Sequence, residues 1–406
     1  MTKFAGAVTA AQGFKASGVH VGIKASNKEK KDMAMISSSV PCVIGAMFTT
    51  NVMKAAPVQY DMEILKKGVA QGVIINSGNA NACTGQQGLE DAKTMAKKTA
   101  ELLGVDGDMV LVASTGVIGH NLPMAKISDG ITKAYGELSV DGGHCAAQAI
   151  LTTDIHAKEM ALTMELDGIS VTIGGMAKGS GMICPNMATM LGFITTDAAI
   201  DGDVLQCALN DAVAQSFNQI SVDGDMSTND TVLILANGLA GNAKIKKGSK
   251  NYTIFVENLT RISVYLAKKI ARDGEGANHL FEAEVRGAST VVDARKIAKS
   301  VVSSNLVKAA VFGKDANWGR IICAVGYAGV DFDPTKVNIY IESEKGRLFV
   351  AKDGGGLEFN EDYAAEVMEK ENIKAVIELQ EGEAVGTAWG CDLSYDYVKI
   401  NADYRT

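Results

Sequence analysis

Residues 174–197, which read GGMAKGSGMICPNMATMLGFITTD, carry most of the information about fold and function. This stretch is rich in Gly, Ser and Thr, and the small residue Ala188 directly precedes Thr189. On composition alone it is a glycine-rich turn that leads into a buried strand. Thr189 is then an ordinary strand residue, because Thr is common in strands.

The same stretch has a second interpretation, as a site of self-cleavage. A Thr hydroxyl can attack the carbonyl of the preceding residue where the backbone is strained, and hydrolysis of the ester leaves Thr as a new N-terminus. Its free α-amine, with a pKa near ~7.7–8, can then serve as general base for its own hydroxyl. Ala188 is small enough to keep the carbonyl accessible, and the glycines allow an unusual turn. Composition does not decide between the two interpretations.

The composition as a whole is that of a folded, soluble protein. The chain has 406 residues, of which 47% are hydrophobic and 21% charged, so disorder is not expected. This length suggests two structural units or one large intertwined unit. The net charge is −8 with acids and bases interspersed, which argues against a surface for nucleic acid or anionic membrane.

The cysteines and the N-terminal segment favour the cytoplasm. The seven cysteines include no CxxC pair, so neither a disulfide framework nor a zinc site is indicated. The start of the chain lacks a secretory pattern, and no apolar run approaches the ~18 residues of a membrane helix. The five histidines show no metal-ligand spacing, so no metal is expected.

Strand and helix patterns are mixed along the whole chain. They do not alternate strictly enough for a doubly wound parallel sheet, so we predict an α+β protein with packed sheets and helices outside. Apolar runs predict strands at residues 42–44, 72–75, 109–113, 231–235 and 337–341. Apolar spacing of three and four predicts helices at residues 88–103, 203–217, 259–273 and 362–369.

Several long motifs in a fixed order resemble the ornithine acetyltransferase (glutamate N-acetyltransferase) family. The blocks are KGSGMICPNMATML at residues 178–191, NSGNANACTG at 76–85, ASTGVIG at 113–119, RDGEGA at 272–277 and DANWGR at 315–320. The resemblance runs from end to end. It implies an αββα-like fold and an enzyme of arginine biosynthesis that cleaves itself between Ala188 and Thr189. Residues 1–188 would form an α chain and residues 189–406 a β chain, and the two would stay associated.

The resemblance also implies a reaction and a set of site residues. Thr189 would take an acetyl group from N-acetylornithine as an ester and pass it to the amine of glutamate. Thr115 and Gly116 would form the oxyanion hole, although residues 114–116 taken alone are also typical of a turn after a strand. The implied substrate-binding residues are Thr152, Lys178, Thr189, Glu275, Asn401 and Thr406. Thr153 is adjacent to Thr152, and the sequence does not decide between them.

Lys178 could meet a substrate carboxylate, and Glu275 could pair with the terminal ammonium of ornithine. The family implies no cofactor, with acetyl-CoA left open as a second acetyl donor, and an assembly of two α and two β chains. One departure is Met226, where the family block usually has Thr, so a polar role there is in doubt.

Two other functions remain as alternatives. The nearest is a self-processing aminopeptidase or amidase, in which water instead of an amine takes the acyl group. The other is a binding protein that kept the fold but lost catalysis, against which the intact Ala188–Thr189 pair, Thr115–Gly116 pair and Glu275 argue.

Overall fold

The computed structural model describes residues 6–24, 26–184 and 190–403. The predicted site positions Ala188, Thr189 and Thr406 lie outside the described residues. Within these ranges, no helix combines the length and the apolar character needed to cross a membrane.

The first part of the fold is an eight-stranded sheet with six helices. Its strands are β1 (Phe14–Val19), β2 (Met33–Phe48), β3 (Val69–Asn76), β4 (Val110–Ser114), β5 (Lys158–Leu166), β6 (Ile169–Lys178), β7 (Leu191–Thr196) and β9 (Thr231–Ala236). The helices are α1 (Ala56–Leu65), α2 (Gly85–Leu103), α3 (Met124–Gly136), α4 (Gly143–Ala149), α5 (Gly202–Ala214) and α6 (Lys250–Arg272).

Strand β2 is long enough to belong to two layers. The strand order is β4-β3-β2-β9-β7-β6-β5, and β1 pairs with the first half of β2. The pairing of β2 with β3 shifts register between Ser37 and Cys42, which is where a bulge bends the strand. The first half of β2 therefore joins β1, β3 and β4, and the second half joins β9, β7, β6 and β5.

Side-chain alternation shows that these two halves face each other. In β9, Leu233 and Leu235 lie in the core between the layers, whereas Val232 and Ile234 lie in the core under α5 and α6. In β4, Leu111 lies between the layers and Val112 lies under α2 and α3. Strands β4 and β9 thus bury both faces, and the order of layers is helix, sheet, sheet, helix.

The second part of the fold is a seven-stranded sheet with its own helices. Its strands are β8 (Ile220–Ser221), β10 (Leu280–Ala288), β11 (Asn338–Ser343), β12 (Gly346–Lys352), β13 (Gly355–Gly356), β14 (Asn372–Glu378) and β15 (Ala384–Cys391). The helices are α7 (Val291–Ser303), α8 (Asn305–Phe312), α9 (Trp318–Gly326), α10 (Glu361–Met368) and α11 (Tyr395–Asp403). One face packs on α7 to α10. Helix α6 joins the two parts, since it contacts β5 and β6 on one side and β15 on the other.

The predicted α+β class with packed sheets and outer helices is confirmed. Each predicted strand and helix falls on an observed element, although α6 begins nine residues earlier than predicted, at Lys250, and α5 ends at Ala214, before a short 3₁₀ turn at Phe217–Gln219. The sequence did not predict that the second sheet forms a separate layer. It also did not predict helices α7 to α9.

The proposed cleavage point lies between two strands of one sheet. Strand β6 precedes it and pairs antiparallel with β7, which follows it, and β9 pairs in turn with β2. The chain boundaries at residues 1–188 and 189–406 remain a prediction. A cut there would leave each piece hydrogen-bonded to the other along two strand pairs.

Candidate active site

A cavity of about 120 Å³ brings together the described residues that the family resemblance selected. Thr115 and Gly116 follow β4, Lys178 ends β6, and Asn401 lies on α11. The cavity is lined by Ala80, Thr115, Gly116, Ile118, Thr152, Thr153, Lys178, Gly181, Met182, Ser227, Asn229, Glu275 and Asn401. These residues come from seven separate stretches of the chain. Both Thr152 and Thr153 line the cavity, so the choice between them stays open.

The segment that carries the proposed cleavage point starts at this cavity. Lys178, the last residue of β6, pairs with Leu191, the first residue of β7. The last residue of β6 and the first residue of β7 are therefore neighbours in the sheet. Gly181 and Met182, on the described part of this segment, line the cavity. Thr189 lies outside the described residues, but it is bonded to Met190, which directly precedes β7.

The backbone around Gly116 accepts only glycine. Its φ is 134°, and an added Cβ would lie 2.7 Å from the backbone nitrogen of Asn79. The Thr115 amide donates to the Asn76 carbonyl at 3.0 Å. The Asn229 side chain donates to the carbonyls of Ala80 and Ser114 at 2.6 and 2.8 Å. These bonds hold the turn after β4 rigidly against the cavity, as an oxyanion hole requires.

Lys178 is a buried cation at the cavity wall, with 4% of its surface exposed. Burial and the neighbouring Lys158 lower the pKa of its ammonium, while Asp154, Asp230 and Glu275 act in the opposite direction. Its Nζ lies 3.9 Å from Asp154 Oδ2. A desolvated ammonium at this position is suited to a carboxylate on a small ligand.

A network of buried charged side chains fixes the backbone around the cavity. Lys158 Nζ donates to Asp154 Oδ1 and to Asp273 Oδ2, both at 2.6 Å. Asp154 also accepts from the backbone amides of Thr152 at 3.0 Å and Gly179 at 2.6 Å. Burial alone would raise the pKa of Asp154, but Lys178, Lys158 and these hydrogen bonds hold it well below its usual range. Asp154 is therefore an anion that fixes the backbone on both sides of the cavity.

Glu275 and Asn401 meet across the cavity. Asn401 Nδ2 donates to Glu275 Oε2 at 2.7 Å, and the Glu275 amide donates to the Ser180 carbonyl at 3.0 Å. A Cβ added at Gly181 would overlap the Glu275 carboxylate. The C-terminal helix α11 therefore reaches the site, as the prediction for Asn401 requires.

A model of the ArgJ family matches residues 15–406. The chain belongs to the ArgJ family. It is 53% identical over 406 residues to the arginine biosynthesis bifunctional protein ArgJ of Symbiobacterium thermophilum, with full coverage of both chains. It is 48% identical to the protein of the same name from Bacillus subtilis, over 100% of this chain and 98% of that one.

One solved structure with this name supports the fold. The crystal structure of the Bacillus halodurans arginine biosynthesis bifunctional protein ArgJ is 45% identical and has a TM-score of 0.51. The match covers 100% of that crystal chain and 53% of this chain. The relative's crystal chain is therefore about half as long as the present chain.

Sequence reasoning missed the residues that hold this ArgJ-family site in place. Asp154 and Lys158 are four residues apart and lie outside the family blocks, and Asp273 lies in the RDGEGA block but had no role assigned to it. Asp223 is a further residue to which the sequence assigns no role. Its carboxylate accepts from the amides of Met182 at 2.6 Å and Ile183 at 2.8 Å. The sequence carries no local signal for these roles. The three carboxylates each accept from a backbone amide at least 25 positions away, and Lys158 pairs with Asp273 across 115 positions.

Met226 lies outside the cavity lining, so its departure from the family pattern does not alter the cavity surface. Its sulfur accepts a hydrogen bond from the Thr50 hydroxyl at 3.5 Å. In the part of the chain that the structure describes, no cluster of three or more His, Cys, Asp or Glu side chains could hold a metal ion.

Proposed function

We propose that this chain is a glutamate N-acetyltransferase that moves acetyl from N2-acetyl-L-ornithine to L-glutamate through an acetyl ester on Thr189. The observation that carries the proposal is the single cavity that Thr115, Gly116, Lys178, Glu275 and Asn401 share where β6 ends. The names of the relatives, which place them in arginine biosynthesis, support it.

The first step is self-cleavage between Ala188 and Thr189. The hydroxyl of Thr189 attacks the Ala188 carbonyl, the C–N bond breaks to give an ester, and water hydrolyses that ester. The match of a whole crystal chain to 53% of this chain supports a two-chain enzyme, because residues 189–406 are also slightly more than half of the chain. The freed α-amine then acts as general base.

The second step is acyl transfer. The Thr189 hydroxyl attacks the acetyl carbon of N-acetylornithine, and its proton passes through the α-amine to the departing ornithine nitrogen. Glutamate then attacks the ester by the reverse sequence. Thr115 and Gly116 would donate to the oxyanion, Lys178 would hold the α-carboxylate, and Glu275 would hold the ornithine ammonium. Thr152 and Thr406 are further proposed contacts.

A self-processing aminopeptidase or amidase is the alternative, and the choice of acceptor separates the two. The cleaved protein is incubated with N-acetylornithine, with and without glutamate, and ornithine, acetate and N-acetylglutamate are quantified. We expect ornithine release to depend on glutamate and to match N-acetylglutamate formation. Equal release of acetate and ornithine without glutamate would assign the chain to the hydrolases.

We propose acetyl-CoA as a second acetyl donor because a lysine-lined cleft adjoins the cavity. This cleft of about 110 Å³ shares Gly116 and Thr152 with the active site. Lys30 and Lys31 line it and donate to neutral oxygens, those of Thr152 at 2.6 Å and Gln148 at 3.3 Å. Their charges are thus available to phosphates.

The cleft is tested by steady-state kinetics with acetyl-CoA and glutamate. The double variant Lys30→Gln/Lys31→Gln should raise KM for acetyl-CoA roughly tenfold, since a hydrogen bond to a charged group contributes ~1.5–3 kcal/mol. The exposed Lys28→Gln is the matched control. If wild-type protein forms no N-acetylglutamate from acetyl-CoA, the second donor is excluded and the N-acetylornithine reaction is unaffected.

We also propose an α2β2 assembly in the cytoplasm. Tyr395 and Val398 on α11 are 83% and 64% exposed, so this helix offers apolar surface for a second copy. Light scattering after size-exclusion chromatography should give twice the mass of one cleaved chain pair. A mass of one pair at micromolar concentration would contradict the assembly.

A further inference from the structure

The Asp230 side chain is buried without a described hydrogen-bond partner. Only 2% of the residue is exposed, and no described group meets hydrogen-bond geometry with either carboxylate oxygen. Leaving a buried polar group unsatisfied costs ~1–3 kcal/mol, so such a group in a native fold needs a reason. Asp61 is also buried, but its Oδ1 accepts from the Val112 amide at 2.9 Å.

Asp230 lies beside the start of β7. The Thr231 amide donates to the Met190 carbonyl at 3.1 Å, and Thr231 pairs with Leu191 in the parallel register of β9 and β7. Residue 230 is therefore next to residue 190. Met190 is bonded in sequence to Thr189, the proposed nucleophile, so Asp230 adjoins the residue that follows it.

The groups that face Asp230 come from three strands or their ends. They are the Thr49 hydroxyl after β2, the Met190 amide before β7 and the Lys178 ammonium of β6. Burial raises the pKa of Asp230 well above its ordinary value, and these three groups only partly oppose it. The carboxyl therefore holds its proton more strongly than an exposed aspartate does.

We propose, on the basis of the function proposed above, that Asp230 is the positioning residue that pairs with the α-amine of Thr189 after cleavage. Cleavage turns the amide nitrogen of residue 189 into a basic amine, and residue 189 is bonded to Met190, which Asp230 adjoins. During acyl transfer the Thr189 hydroxyl proton moves to this amine as the Oγ–C bond forms. The Asp230 carboxylate pairs with the resulting ammonium, which then gives its proton to the departing ornithine nitrogen. Asp230 itself forms and breaks no covalent bond to substrate.

The pH profile of kcat/KM for acetyl transfer tests this role. An anion beside a cationic group raises its pKa by ~1–3 units, so Asp230→Asn should move the acidic limb to lower pH by about one unit. Its maximal rate should also fall. Asp230→Glu should keep the wild-type limb, and the exposed Asp225→Asn is the matched control. An acidic limb that stays in place in Asp230→Asn would overturn the proposal.

A second measurement does not depend on the folding or processing of any variant. Cleaved wild-type protein labelled with ¹⁵N-threonine is titrated, and the resonance of the N-terminal amine is followed by NMR. The expected pKa lies above the ordinary ~7.7–8 of an α-amine. A value at or below that range would exclude an Asp230 partner. If wild-type protein transfers acetyl but its amine has an ordinary pKa, only the proposed pairing with Asp230 is wrong. If cleaved wild-type protein does not transfer acetyl, the proposed function is wrong.

Discussion

At the scale of single residues, Gly116 and Thr115 contribute differently to the proposed oxyanion hole, although both lie in the same turn. The conformation at Gly116, with φ of 134°, leaves no space for a Cβ against Asn79. The Thr115 amide is occupied by the Asn76 carbonyl, so its hydroxyl is the group that can face the cavity. The sequence motif indicated both residues, but only the fold explains why the second must be glycine.

Thr115→Ala should lower kcat strongly and change KM little, because an oxyanion donor acts mainly in the transition state. Removal of one such donor typically costs ~2.7–4 kcal/mol, or 10²–10³ in rate. Steady-state kinetics with N-acetylornithine and glutamate measure this, with Thr132→Ala on the exposed face of α3 as control. Unchanged kcat together with a raised KM would remove Thr115 from the oxyanion role.

Asp154→Asn should destabilise the fold at neutral pH by ~3–5 kcal/mol, because it leaves buried lysines without their counter-charge. The pKa of Asp154 is lowered in the folded protein. Its stabilisation is therefore complete above the unfolded pKa of ~3.9 and is lost as pH falls further toward the folded value. Urea unfolding of both proteins should show a difference that is constant from pH 7 to 5 and shrinks below pH 4. A difference that grows on acidification would contradict this assignment.

At the scale of elements, the loop between β6 and β7 is fixed by side chains from elsewhere. Asp223 binds its amides at Met182 and Ile183, and Asp154 binds the amide of Gly179. The sequence predicted strands and helices from apolar periodicity, which depends on neighbouring residues. It could not predict these bonds, since their partners are separated by 25 to 41 positions and follow no local pattern.

Gly181→Ala should impair substrate binding without a large loss of stability. The added Cβ overlaps the end of the Glu275 side chain, which can rotate away. This rotation breaks the hydrogen bond between Glu275 and Asn401 but leaves the fold intact. We expect KM for N-acetylornithine to rise about tenfold, consistent with loss of one hydrogen bond to a charged group. Gly202→Ala, where a Cβ meets nothing within 4 Å, is the control. Equal kinetics in the two variants would mean that Glu275 does not contact ornithine.

At the scale of the whole molecule, the proposed cleavage divides the chain but not the sheet. Strand pairs β6–β7 and β2–β9 cross the division, and the core between the two layers includes Ile36 and Leu233 from opposite sides of it. The sequence predicted an intertwined pair from family resemblance. The bend of β2 and the second sheet could not be predicted, because both depend on long-range pairing.

The two cleaved pieces should therefore stay together without denaturant. Cleaved protein on a size-exclusion column at high salt should elute as one species that contains both pieces. High salt weakens surface ion pairs but not strand pairing or apolar burial. Separate elution of a piece with residues 1–188 would contradict the shared sheet.

The central claim, that Thr189 is freed by self-cleavage and then carries the acetyl group, is tested most directly by intact-mass spectrometry. Purified protein is analysed before and after incubation with N-acetylornithine in the absence of glutamate. We predict two fragments that divide between Ala188 and Thr189, with one added acetyl group on the fragment that begins at Thr189. A Thr189→Ala chain should remain whole and unacetylated. A wild-type chain that stays uncleaved and never gains acetyl, or an acetyl group on residues 1–188, would contradict the claim.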